Sequence, residues 1–191
     1  MLMIVEATTL NQRTMNLQPQ DKFLRDNIKE DDILIVSIGG NDVALAPTPC
    51  TICAMSGLVC CLPRQCVTNG SVCCTIPVND YCGGCTTSLL SCLGACPPCL
   101  GYFRHLFGVR VQKYIERLTS KTRPKKILVC MIYYPDENVN SPSWAGVALG
   151  AMGYNNDPTR LQALIRKAFE EATRYVSEFF WFSLVDTVFL L

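Results

Sequence analysis

Apolar and polar positions along the chain fall into blocks of contrasting period, and each period predicts an element. Residues 33–38, Ile-Leu-Ile-Val-Ser-Ile, are apolar at five of six positions and rich in β-branched side chains, which predicts a buried strand. Residues 126–133, Lys-Ile-Leu-Val-Cys-Met-Ile-Tyr, predict a second buried strand. Ser183 to Leu190, within the short apolar run ending at Leu191, predicts a third. Helical spacing fills the intervals. Asp21 to Lys29 reads as a short helix with Phe23, Leu24 and Ile28 on one face. From Tyr102 to Thr119, Phe103, Phe107, Val111, Tyr114, Ile115 and Leu118 recur as an apolar stripe, and Pro124 marks the break that follows. Asp157-Pro158 opens a third helix, with an N-cap carboxylate and proline at the first helical position. Its stripe is Leu161, Leu164, Ile165, Ala168, Phe169, Ala172 and Val176.

Helix and strand thus alternate, which predicts an α/β fold: a parallel sheet flanked by helices and built from right-handed crossovers. Three strands are few for a sheet buried on both faces. The pattern predicts a truncated domain, the middle and later part of a doubly wound fold without its opening strand. The periodic blocks occupy residues 1–46 and 100–191, and a compositionally foreign, cysteine-rich, irregular insert occupies 47–99.

Hydrophobic content of 49% and a charged fraction of 17% describe a globular chain. A net charge of +1 supplies no electrostatic reason to bind nucleic acid or an anionic membrane. The basic run from Lys121 to Lys126 reads as a solvated turn between helix and strand. No segment reaches the roughly 20 apolar residues of a transmembrane helix. The N-terminal Met-Leu-Met-Ile-Val-Glu lacks a basic flank and is interrupted by Glu6, so it does not read as a signal peptide.

The most informative chemistry follows the first strand: Ser37-Ile38-Gly39-Gly40-Asn41-Asp42. In open parallel sheets, ligands collect beyond the carboxyl ends of strands. The tetrapeptide resembles the Gly-x-Asn-Asp block of the SGNH, or GDSL-type, ester hydrolases, and the resemblance covers the regions outside the insert. It implies a flavodoxin-like three-layer domain that hydrolyses a carboxylic ester by a Ser/His/Asp mechanism, without a cofactor. By position, Asn41 takes the role of oxyanion donor, Gly39 and Gly40 let the backbone turn, and Asp42 steadies the turn through a local hydrogen bond. Other family elements are absent. There is no Gly-Asp-Ser for the nucleophile, no glycine before Gly39 for the second oxyanion donor, and no Asp-x-x-His for the base.

The single histidine, His105, lies about 200° from Phe103 on an ideal helix, which predicts a surface position. Ser37 has no nucleophile elbow around it and reads as a core-facing hydroxyl. Tyr133, Tyr134, Asp136, Glu137 and Asn138 follow the second strand and would emerge at the same sheet edge as Asn41. The glycine-containing stretch from Trp144 to Tyr154 reads as a loop that could cover such a cleft.

Twelve of the 13 cysteines lie between Cys50 and Cys99, while Cys130 reads as an inert core residue of the second strand. Cys50/Cys53, Cys82/Cys85 and Cys96/Cys99 have the Cys-x-x-Cys spacing of a zinc site. Four thiolates on one ion carry net negative charge, and Arg64 is the only basic residue of the insert. Disulfides need no such compensation and suit a Pro-, Gly- and Thr-rich segment. Asn69-Gly70-Ser71 is a glycosylation acceptor, consistent with that route. Disulfides are therefore favoured over zinc, with surface thiols or lipidation as a third reading, and a disulfide-bonded parent would be secreted or lumenal. Two functions follow. One is an SGNH-type hydrolase domain, as a catalytically incomplete fragment or an inactive relative, acting in completed form on a small-molecule or lipid ester. The other is a binding module whose working part is the cysteine insert.

Overall fold

The computed structural model describes residues 9–44, 46–47, 49–56, 103, 105–130, 132, 150, 154–173, 176 and 185–188. Helix α1 (Leu10–Met15), which the apolar period does not announce, begins at a capping box. The Thr9 Oγ1 accepts from Gln12 N at 3.3 Å and the Gln12 Oε1 accepts from Thr9 N at 3.1 Å. Helix α2 (Pro19–Asn27) follows, with proline at its first position. Its buried face is not the predicted one. Asp21, Leu24 and Ile28 share one side by i, i+3, i+7 spacing, and Phe23 is turned out, 56% exposed.

The reason is a buried polar cluster. Asp21 is fully buried, and its Oδ1 accepts from Arg13 Nη1 at 2.6 Å and from the Tyr114 hydroxyl at 2.9 Å. Its Oδ2 accepts from Gln18 N at 3.0 Å, at the start of the same helix. Burial and the neighbouring carboxylate push the Tyr114 phenol well above its ordinary range.

The sheet is three-stranded and parallel in the order β1 (Ile33–Ser37), β2 (Lys126–Cys130), β3 (Val185–Val188). Leu34 pairs with Ile127 and Val36 with Val129, and these four side chains are buried. The alternate residues behave differently: Ile33 is 53% and Ile35 49% exposed, Ser37 is exposed, and Leu128 and Cys130 are half-buried. The predicted burial of β1 on both faces, and of Ser37 and Cys130 in the core, therefore gives way to a strand buried on one face and exposed on the other, beside a second strand half-buried on that other face. Handedness supplies the reason. Right-handed crossovers that advance in one direction along a sheet set their helices on one side.

Between β1 and β2 lie α3 (Gly40–Ala44), α4 (Pro49–Ser56), a π-helical segment (His105–Arg110) and α5 (Val111–Leu118). Residues 49–56, expected to be irregular, are helical, and Thr51, Ala54 and Met55 are buried. The predicted stripe from Phe103 to Leu118 is buried throughout. Between β2 and β3 come a 3₁₀ turn (Tyr154–Asn156), α6 (Pro158–Ala168) and a second π-helical segment (Phe169–Thr173). Of the predicted stripe of α6 and its extension, only Phe169 is half-buried; Leu161, Leu164, Ile165, Ala168, Ala172 and Val176 are buried. Asp157 does not cap the backbone of α6. Its carboxylate accepts instead from Thr159 Oγ1 at 2.5 Å and Arg160 Nε at 2.9 Å. Among the described residues no helix is long and apolar enough to cross a membrane.

Replacing Asp21 by Asn removes the buried negative charge on which Arg13, Tyr114 and Gln18 N converge and is expected to cost about 3–5 kcal/mol. Tyr114→Phe removes one hydrogen bond and is expected to cost about 1–2 kcal/mol. Urea unfolding of both variants checks the ranking, and equal losses would show that Asp21 acts through shape alone.

Candidate functional site

The carboxyl ends of the strands form one edge, with Ser37, Cys130 and Val188 in register. At that edge the chain leaves β1 through Gly39, whose φ of +100° is accessible essentially to glycine alone. A Cβ placed on Gly39 would lie 2.7 Å from Phe107 Cε1, so the ring of the first π segment rests directly on this backbone. Gly40 differs. It is the first residue of α3, and a Cβ there would make ordinary contact with Ile132 at 3.5 Å. The Gly-Gly pair is therefore one obligatory glycine followed by a helix start, not two turn residues.

Asn41 is half-buried at the second position of α3, and its carbonyl accepts from Ala46 N at 2.9 Å. Asp42 is buried, and its Oδ2 accepts from Leu10 N at 2.6 Å. The carboxylate thus sits at the amino end of α1, where exposed N–H groups and the helix dipole favour negative charge. This contact joins residues 32 apart in sequence, so Asp42 ties the turn after β1 to α1. In the chain Asn41 lies between Gly39, against which Phe107 packs, and Asp42, which is tied to α1.

No protein-family model matches the chain, and the curated proteins and solved structures yield no significant match.

Tyr133, Tyr134, Asp136, Glu137 and Asn138, and most of Trp144 to Tyr154, lie outside the described residues; Tyr154 itself is buried. Cys50 and Cys53 fall on α4, one turn apart, with their side chains outside the description. Cys82, Cys85, Cys96 and Cys99 also lie outside it. Cys130 is half-buried, and burial pushes its thiol up.

The first π segment contains what helical arithmetic misplaces. His105 is buried at 5% exposure, with Leu106, Phe107, Gly108 and Arg110, and of the residues from His105 to Arg110 only Val109 reaches solvent, at 40%. A π-helix closes its hydrogen bonds over five residues, so each residue advances less around the axis than in an α-helix. Six such residues still pass right round the axis, so the burial comes from packing on two sides, against α1 and against the second π segment. Burial, and then the neighbouring Arg110 charge, lower the His105 pKa to about 4. The two π segments face each other, with Ala172 Cβ 3.5 Å from a Cβ placed on Gly108.

Gly39→Ala is expected to destabilise by at least roughly 2 kcal/mol through backbone strain and displacement of the Phe107 ring. Gly40→Ala should be neutral or stabilising by up to about 1 kcal/mol, as in ordinary helix positions. Denaturant midpoints decide, and equal effects would refute the distinction between the two glycines.

For His105 the folded pKa lies below the ordinary value, so the unfolded chain takes up the proton first. Its contribution is complete above pH 6.5 and declines as pH falls toward 4. The loss should total roughly 3 kcal/mol. His105→Leu should flatten that part of the stability profile, and parallel profiles for the two proteins would contradict it.

Proposed function

We propose that this chain carries the oxyanion corner of an SGNH-type carboxylic ester hydrolase, in a three-layer α/β domain of which it forms part. The observation that carries the reading is the path after β1. A glycine at positive φ turns the backbone beyond a parallel strand and leads into a short helix whose second residue is Asn41. In that role the Asn41 side-chain N–H would donate to the oxygen that gains charge as an ester carbonyl becomes tetrahedral. A single such donor is worth about 10²–10³ in rate. Phe107 and Asp42 would hold it at a fixed height above the sheet edge.

The strand order supports the same reading. Three parallel strands in consecutive order correspond to the growing limb of a flavodoxin-like 2-1-3-4-5 sheet. On that limb successive right-handed crossovers leave the opposite face for helices from elsewhere in the fold. Exposure of Ile33 and Ile35 marks the face such a layer would cover.

A serine mechanism also needs a nucleophile and a base. The sequence offers neither family motif, and its one histidine is buried in a π-helix with its imidazole neutral at pH 7. The chain is accordingly a catalytically incomplete part or an inactive relative, whose completed form would take a small-molecule or lipid ester. It should leave a fluorophosphonate probe unreacted; a labelled serine would overturn its incompleteness. In a form joined to a serine and histidine block, Asn41→Ala should lower kcat/KM about 10²–10³-fold with an unchanged unfolding midpoint. Unchanged turnover would instead favour a binding role centred on the cysteine segment.

A further inference from the structure

Arg110 closes the first π segment with a side chain 3% exposed. Neither Nη1 nor Nη2 has a hydrogen-bond partner, although both are buried. A guanidinium keeps its charge at any physiological pH, so deprotonation cannot relieve this burial. Buried charges are otherwise paired or hydrogen-bonded. Among the described residues, the neighbouring groups do not supply the missing charge. Arg13, on the packed helix α1, already holds Asp21 at 2.6 Å. On the facing π segment, Glu170 is exposed and pairs with Lys167 at 3.9 Å. His105, one π turn before Arg110, is cationic only under acid and otherwise adds no charge.

We propose that Arg110 is the receptor for a small carboxylate anion, held end-on by Nη1 and Nη2 inside the π segment. The geometry selects the class. Two unsatisfied Nη groups on one planar fork match the two oxygens of a carboxylate through parallel N–H···O bonds. One buried positive charge is neutralised by one negative charge. A phosphate or sulfate dianion would bring a second charge, for which the described residues around Arg110 hold no unpaired cation. The segment reaches solvent at Val109, one residue away, and its backbone is of the rare kind that recurs at binding sites. This inference stands apart from the ester-hydrolase reading, because it uses none of the residues around Asn41.

The test is thermal unfolding of the full chain at pH 7 in sodium formate, sodium sulfate or sodium chloride of equal ionic strength. Formate at about 100 mM should raise Tm by about 2–4 °C over chloride, as binding to the folded state alone requires. Sulfate should stay near chloride. Arg110→Met should abolish the formate increment while unfolding in chloride at or above the native Tm, because an apolar chain of similar length removes a buried unpaired charge. In the unsubstituted protein, the Arg110 Nε–H signal should shift saturably with formate, a readout that needs no variant. The proposal is overturned by an equal formate increment in Arg110→Met, by a sulfate increment as large as that of formate, or by an Nε–H signal that does not saturate. A fall of more than about 5 °C for Arg110→Met in chloride would overturn it too, since the guanidinium would then be satisfied from within.

Discussion

The Asp21 carboxylate is the point through which the helical layer is joined. It accepts from Arg13 of α1, from Tyr114 of α5 and from the backbone at the start of α2, so two neighbouring helices and a third 93 residues away converge on one fully buried group. A buried ion pair is not by itself strongly stabilising, because desolvation offsets the attraction. Its effect here is directional. With Asp21 facing inward, α2 has one allowed rotation: Leu24 and Ile28 follow Asp21 inward and Phe23 faces water. A purely apolar seam would tolerate several rotations. Arg117 of α5, donating to the Thr14 carbonyl at the end of α1, adds a second tie between those helices.

From this layer the constraint passes to the sheet edge. The same helical run that carries Tyr114 carries Phe107, whose ring lies against Gly39, while α1 receives the Asp42 carboxylate at its first turn. The position of Asn41 is thus set by helices on both sides of it in sequence rather than by the Gly-Gly-Asn-Asp tetrapeptide alone.

Much of this was legible from the residues. Apolar runs at Ile33–Ser37 and Lys126–Cys130 marked strands because sheet interiors select β-branched side chains, and the stripes from Phe103 to Leu118 and Leu161 to Val176 marked helix faces. Helix α1 was legible but overlooked: Thr9 three residues before Gln12 is a capping signature that apolar period does not register. His105 was misplaced because its segment is covered on two sides, by α1 and by the second π segment, and nothing local in the sequence announces those partners. The inward turn of Asp21 and the reach of Asp42 to Leu10 depend on partners 93 and 32 residues distant, which no window of sequence contains.

That 93-residue separation has a consequence for how the chain can vary. Asp21 and Tyr114 meet across the whole cysteine-rich stretch, and the entropy of closing such a loop rises only with the logarithm of its length. Doubling it costs about 0.6 kcal/mol, less than the loss of one ordinary hydrogen bond. The junction between α4 and the first π segment is therefore where this architecture accommodates inserted sequence of nearly any size with least penalty. Length there is weakly constrained by folding.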